Sequence, residues 1–122
     1  MKHLDTSFLV DLLRENARGA AGPASTLLDS LRDEPLRVSV HVLCELLAGA
    51  ELARQPSVER RRIEQLCAAL DVVLPDERFA PAYARLYADQ ERRGERIAAM
   101  DLLIATAAAV EEGNRSGLTK VL

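Results

Sequence analysis

Aromatic residues are nearly missing from this sequence: there is no tryptophan, and there are two tyrosines and two phenylalanines. Base stacking is therefore not an obvious mode of recognition for a nucleic-acid partner. Cysteine is scarce as well. Cys44 and Cys67 each lie in an apolar helical context, with no CxxC pair and no histidine at metal-ligand spacing, and read as reduced core thiols. The two histidines make no zinc set: His3 lies in a short apolar entry segment, His41 opens a helix, and neither has a partner that makes it a general base. No P-loop, GxSxG or GxGxxG is present. The start, MKHLDTSFLV, has no signal-peptide core, and the longest apolar stretch that avoids Asp101 falls far short of a membrane span. This predicts a cytoplasmic protein without membrane contact. A positive field is missing too: the formal charge is −3, so a nucleic-acid partner needs a local basic patch.

What is present is the balance of a folded domain. Of 122 residues, 48% are hydrophobic and 29% charged, which is globular composition at the length of a single domain. No internal repeat or long linker divides residues 1–122. The β-branched runs LRVSV (Leu36–Val40) and LDVVL (Leu70–Leu74) have strand length, as do the entry His3–Leu4 and the final LTKVL (Leu118–Leu122). Between them, apolar periodicity predicts helices over Ser7–Arg14, about Pro23–Arg32, His41–Arg54, Val58–Leu70, Asp76–Arg93 and about Ala98–Glu112. Strands alternating with helices predict a helix-rich α/β sandwich with a parallel sheet, whose ligand site lies beyond the carboxyl ends of the strands.

Three acids stand out against that frame. Asp5 follows the first strand and precedes TS and a helix; Asp5, Thr6 or Ser7 fits the helix N-cap, yet a strand's carboxyl end is also where a functional acid belongs. Glu45 sits in VLCELLAGAEL. At 100° per residue, Leu43, Leu46, Leu47 and Ala50 form one stripe of that helix and Val42, Glu45, Gly49 and Leu52 another, so Glu45 interrupts an apolar face with open space beside it at Gly49. Asp101 sits in IAAMDLLIATAAAV, near the start of a helix that is otherwise uncharged. An acid in a first turn gains about 0.3–1 kcal/mol from the helix dipole. That is less than the cost of desolvating it in a central helix, so a second positive charge is expected. If the three acids converge, they repel one another unless a cation lies among them. Hard oxygen ligands select Mg²⁺ or Mn²⁺ over Zn²⁺, and such a site suits phosphoryl chemistry.

Asp5 in LDTSFLVDLL, Glu45 in HVLCELLAGA and Asp101 in GERIAAMDLLIATAAA resemble the three acidic motifs of PIN-domain ribonucleases, in particular VapC-type toxins of toxin-antitoxin pairs. The likeness runs in order and spacing from Met1 to about Ala109, and GERI before the third acid fits the same pattern. The resemblance implies a three-layer α/β/α fold with a parallel sheet of four to five strands. It implies a metal-dependent endoribonuclease that hydrolyses RNA phosphodiester bonds, in tRNA or rRNA, with Asp5, Glu45 and Asp101 as metal ligands for Mg²⁺ or Mn²⁺. Thr6 or Ser7 is expected to hydrogen-bond the first acid or a substrate phosphate. The implied partners are a second copy of the chain, in a homodimer, and a VapB-like antitoxin that lies along the toxin and can place a basic side chain in the acidic cleft. The chain departs from the pattern at GLTKVL, where relatives commonly carry a further strand and a TxN segment with a fourth acid or polar residue. Glu111 and Glu112 sit more than two turns past Asp101, too far along the helix to replace that fourth residue. The alternative that this departure leaves open is a non-catalytic PIN-like module that binds RNA or a protein.

Other features read more plainly. A receiver domain needs an acidic pair after the first strand, whereas Asp5 is followed by Thr6, and Asp76 fits a helix N-cap. The arginines at Arg60–Arg62 and Arg92–Arg96 read as solvated helix faces that can hold phosphates if they flank the cleft. Phe79, Tyr83, Leu86 and Tyr87 follow helical spacing and are expected in the core or a dimer interface.

Overall fold

The computed structural model describes residues 2–31 and 33–111. Three short strands, β1 (Lys2–His3), β2 (Leu36–Ser39) and β3 (Asp71–Val73), form one parallel sheet in the order β1-β2-β3. Six helices accompany them: α1 (Thr6–Arg18), α2 (Pro23–Ser30), α3 (Val40–Glu51), α4 (Pro56–Cys67), α5 (Phe79–Arg92) and α6 (Ala99–Glu111). Among the described residues the sheet thus has three strands where four to five were expected. The strand expected at Leu118–Leu122 and the helix end expected at Glu112 lie outside the described residues.

Register and burial show how the helices cover the sheet. His3 pairs with Arg37, and Arg37, Val38 and Ser39 pair with Asp71, Val72 and Val73. Neighbouring strand residues point to opposite faces. Val38 and Ser39 are both buried, as are His3 and Leu4, so the sheet is covered on both sides. Leu4 and Val38 join Leu9 of α1, Val42 and Leu46 of α3 and Ile63 of α4 in one hydrophobic cluster. On the other face Glu111, the last residue of α6, pairs with the Arg37 guanidinium and lies 3.9 Å from Nε2 of His3. A parallel sheet so enclosed needs helices on both sides, which the crossovers α1–α2 and α3–α4 supply to one face and α6 to the other.

Helix ends account for most differences from the sequence reading. α1 runs past Arg14 because Glu15, Asn16, Ala17 and Arg18 continue the helix without adding a large apolar residue to its stripe, and it stops where Gly19 turns left-handed at φ +69°. α3 starts at Val40, since Ser39 Oγ accepts the Val42 N–H at 3.2 Å and caps it. α4 starts earlier than Val58, with Pro56 as its first residue. Asp76 is not the cap of α5: its carboxylate accepts the Arg78 N–H at 2.9 Å in a turn, and the helix begins at Phe79.

α2 is capped from elsewhere in the chain. Its own N-cap, Gly22, has no side chain, and the Glu15 carboxylate of α1 fills that role. Glu15 is 4% exposed and accepts the N–H groups of Gly22 (2.9 Å), Ala24 (3.0 Å) and Ser25 (2.8 Å), together with the Ser25 hydroxyl (2.6 Å). The Ser25 hydroxyl bond, reinforced by the three N–H groups, holds the carboxyl down at about 2, against the raising effect of burial.

Candidate functional site

Asp5, Thr6, Ser7, Glu45 and Asp101 line one cleft of about 550 Å³, floored by Ile104, Ala105 and Ala108 of α6. The fold brings the three acids there from three separate elements. Asp5 follows the carboxyl end of β1 and caps α1, its Oδ1 accepting the Phe8 N–H at 2.9 Å. The cap reading and the site reading thus describe the same carboxylate. Glu45 lies in the second turn of α3, whose cap Ser39 is the last residue of β2. Asp101 is in the first turn of α6.

The surroundings of Asp101 and Glu45 differ in part from expectation. Asp101 is exposed, so the desolvation cost argued from its apolar neighbours does not arise. Those neighbours point inward instead: Leu102, Thr106, Ala107 and Ala108 are buried, while Asp101 and Ala105 face outward on the cleft side. Glu45 is half-buried, and the buried stripe of α3 is Val42, Leu46 and Ala50. Val42, grouped with Glu45 by helical spacing, is thus buried, and the rest of that stripe lies at the rim, with Gly49 exposed and Leu52 89% exposed. The open space at Gly49 is real, since a Cβ there meets nothing within 4 Å.

Thr6 bonds the second acid, not the first. Its hydroxyl donates to Glu45 Oε1 at 2.6 Å, bridging α1 and α3. Among the described residues, the other oxygens of Asp5 and Glu45 and both of Asp101 accept no hydrogen bond from the chain. Oxygen donors of this kind suit a hard divalent cation. As they stand, however, no group of three or more His, Cys, Asp or Glu side chains among the described residues is arranged to hold a metal ion.

On the other side of the Thr6–Glu45 pair lies a groove of about 320 Å³ between α1, α3 and α4. Val10, Leu13, Leu46, Ala50 and Ile63 make it apolar, and Arg14, Glu59 and Arg62 edge it. Arg62 is occupied by Glu59 at 2.8 Å, and Arg60 by Glu51 at 3.3 Å, so two of the three arginines at Arg60–Arg62 have local partners. Arg93 likewise reaches Asp89 at 2.9 Å.

The remaining candidates lie away from the cleft. Glu111 is held by Arg37 and by Arg78 at 3.5 Å, so it serves an ion-pair network beneath the sheet. Sequence reasoning gave no role to this network or to Glu15. Cys44 is exposed, not a core thiol, because it sits off the Val42–Leu46–Ala50 stripe. Cys67 is half-buried, which pushes its thiol up. Phe79 stacks on His41 with ring centroids 5.2 Å apart, and burial pushes the imidazole of His41 down. Tyr83 and Tyr87 stack on each other at 6.2 Å, with Tyr87 exposed, so this face of α5 is not core. No helix among the described residues is long and apolar enough to cross a membrane.

Comparison with known proteins places these observations in a family. The PIN domain model matches residues 2–115. Among solved structures, the chain is similar to a chain of VapBC2 from Rickettsia felis bound to a DNA fragment from the promoter, with a TM-score of 0.83 and 21% identity over 91% of this chain and 81% of that one. It is similar to FitAcB from Neisseria gonorrhoeae, with a TM-score of 0.78 and 28% identity over 92% and 83%. It is also similar to a toxin-antitoxin complex from Klebsiella pneumoniae, with a TM-score of 0.69 and 14% identity over 100% and 98%. Comparison with curated protein sequences finds no match.

Proposed function

The chain belongs to the PIN domain family, and on that premise we propose that it is a VapC-type toxin, a Mg²⁺- or Mn²⁺-dependent endoribonuclease of the cytoplasm held in check by a partner antitoxin. The observation that carries this reading is the meeting of Asp5, Glu45 and Asp101, from three elements, in one cleft beyond the ends of the strands. In the proposed site these carboxylates hold the cation. Mg²⁺ keeps several of its waters and needs only one or two direct carboxylates, which suits a cleft wide enough for a hydrated ion and a phosphate. A bound divalent cation supplies charge for the phosphoryl oxygens and acidifies water. The chain's own contribution is geometric: the Phe8 N–H fixes Asp5, the Thr6 hydroxyl fixes Glu45, and the packed face of α6 fixes Asp101.

The apolar groove between α1, α3 and α4 supports the antitoxin part of the reading. It offers an amphipathic segment a place beside Glu45, where a basic side chain reaches the acids. A homodimer joined through exposed apolar residues such as Tyr87 completes the proposal. One observation favours a second reading, a PIN-like module that binds RNA or protein without cutting: no three acids are arranged around an ion position among the described residues. RNA cleavage with Mg²⁺ or Mn²⁺, measured for the wild type, Asp5→Asn and Asp101→Asn, separates the two. Activity lost in both variants supports the nuclease; equal activity in all three rules out catalysis by these acids.

A further inference from the structure

We propose that Thr6 is a positioning residue that holds the Glu45 carboxylate over the acidic cleft and away from the neighbouring groove, against the pull of Arg14. The inference rests on the cation site proposed above. Thr6 and Glu45 line both openings, so their hydrogen bond is the wall between them. On the cleft side stand Asp5 and Asp101, two like charges that repel Glu45. On the groove side Gly49, one turn further along α3, leaves open space, and Arg14 pairs with no acid among the described residues. The groove thus offers a Glu45 side chain turned into it both open space and the Arg14 cation, the Glu59 carboxylate there being already taken up by Arg62. The opposing force is the Thr6 hydroxyl, a charge-assisted donor at 2.6 Å on the first residue of α1. Its β-branched side chain has few rotamers, so the donor stays in place when the carboxylate is pulled. The adjacent Ser7, also lining the cleft, makes no such bond.

The test is Mn²⁺ binding by the whole chain, followed by electron paramagnetic resonance of the free ion, with circular dichroism to confirm folding. Thr6→Val keeps the shape and removes the donor; it is expected to weaken Mn²⁺ binding by about ten-fold or more, the worth of a hydrogen bond to a charged group. Thr6→Ser keeps the hydroxyl and is expected to retain most of the affinity. Adding Arg14→Gln to Thr6→Val is expected to recover part of the loss, because the rival charge is gone. Asp101→Asn serves as the reference for the site itself. If Asp101→Asn binds weakly while Thr6→Val binds like the wild type, the role of Thr6 is overturned and the cation site stands. If the wild type binds no Mn²⁺, the functional reading fails and this inference with it. A Thr6→Val protein that melts earlier but binds Mn²⁺ normally when folded has lost only a structural bond, which also overturns the assignment. Failure of Arg14→Gln to recover any affinity overturns the competition with the groove.

Discussion

The same substitution, glycine to alanine, is expected to act with opposite sign at Gly22 and Gly49. At Gly22 a Cβ meets the Glu15 carboxyl carbon and Oε2 at 2.7 Å. A carboxylate at the end of a free side chain could swing aside, but this one is pinned by three N–H groups and a hydroxyl at the start of α2. Relieving the overlap means shifting α2 or giving up those bonds, and such overpacking costs about 1–3 kcal/mol. At Gly49, inside α3, a Cβ meets nothing within 4 Å, and removing the backbone freedom of glycine from a helix gains about 0.5–1 kcal/mol. For a chain of 122 residues about 4 °C corresponds to 1 kcal/mol. Gly22→Ala should therefore melt about 4–12 °C lower than the wild type, and Gly49→Ala about 2–4 °C higher. Thermal unfolding by circular dichroism reads both. A Gly22→Ala protein as stable as the wild type would show that the Glu15 carboxylate does not sit over Gly22, and the account of how α2 is capped would have to be abandoned.

Two further outcomes follow from titratable groups. The Glu15 carboxyl is lowered from 4.5 to about 2, so its stabilising effect is complete above the unfolded value and is lost as pH falls from there towards about 2. The urea midpoint of the wild type should drop steeply over that window and that of Glu15→Gln much less; identical acid limbs would remove Glu15 as the cause. The exposed Cys44 should react quickly with a thiol reagent at neutral pH, and Cys67, half-buried with its thiol pushed up, slowly. Two equal, slow rates would contradict the exposed position of Cys44.

The parts of the fold that were legible in the sequence are those where one local signal dominates. The Val38 and Val72 runs fix β2 and β3, and the helical stripes locate all six helices. Helix ends were misjudged where a cap comes from an unexpected residue: Ser39 starting α3 from inside an expected strand, and Pro56 starting α4 before its apolar stripe. Glu15 could not be read as a cap, because its partners lie on a second helix and no local pattern joins them. For the site, position at strand ends singled out Asp5, and an interrupted apolar face singled out Glu45. Asp101 lines the same cleft, but as an exposed carboxylate and not as the buried charge its apolar neighbours suggest. Periodicity in a nearly all-apolar helix does not say which side meets solvent, and α6 turns Asp101 outward. The Thr6–Glu45 bond joins residues far apart in sequence, and no pattern within either segment announces it.

Cleavage of single-stranded RNA with and without added Mn²⁺, compared between the wild type and Asp101→Asn, bears most directly on the central claim. The Asp101 side chain is exposed and makes no hydrogen bond or ion pair among the described residues, so its amide variant should fold as the wild type does. Cleavage by the wild type should require the cation and fall by about 100-fold or more in Asp101→Asn, which removes one of the carboxylates that hold the cation. A cation-dependent cleavage that Asp101→Asn retains in full would contradict that claim.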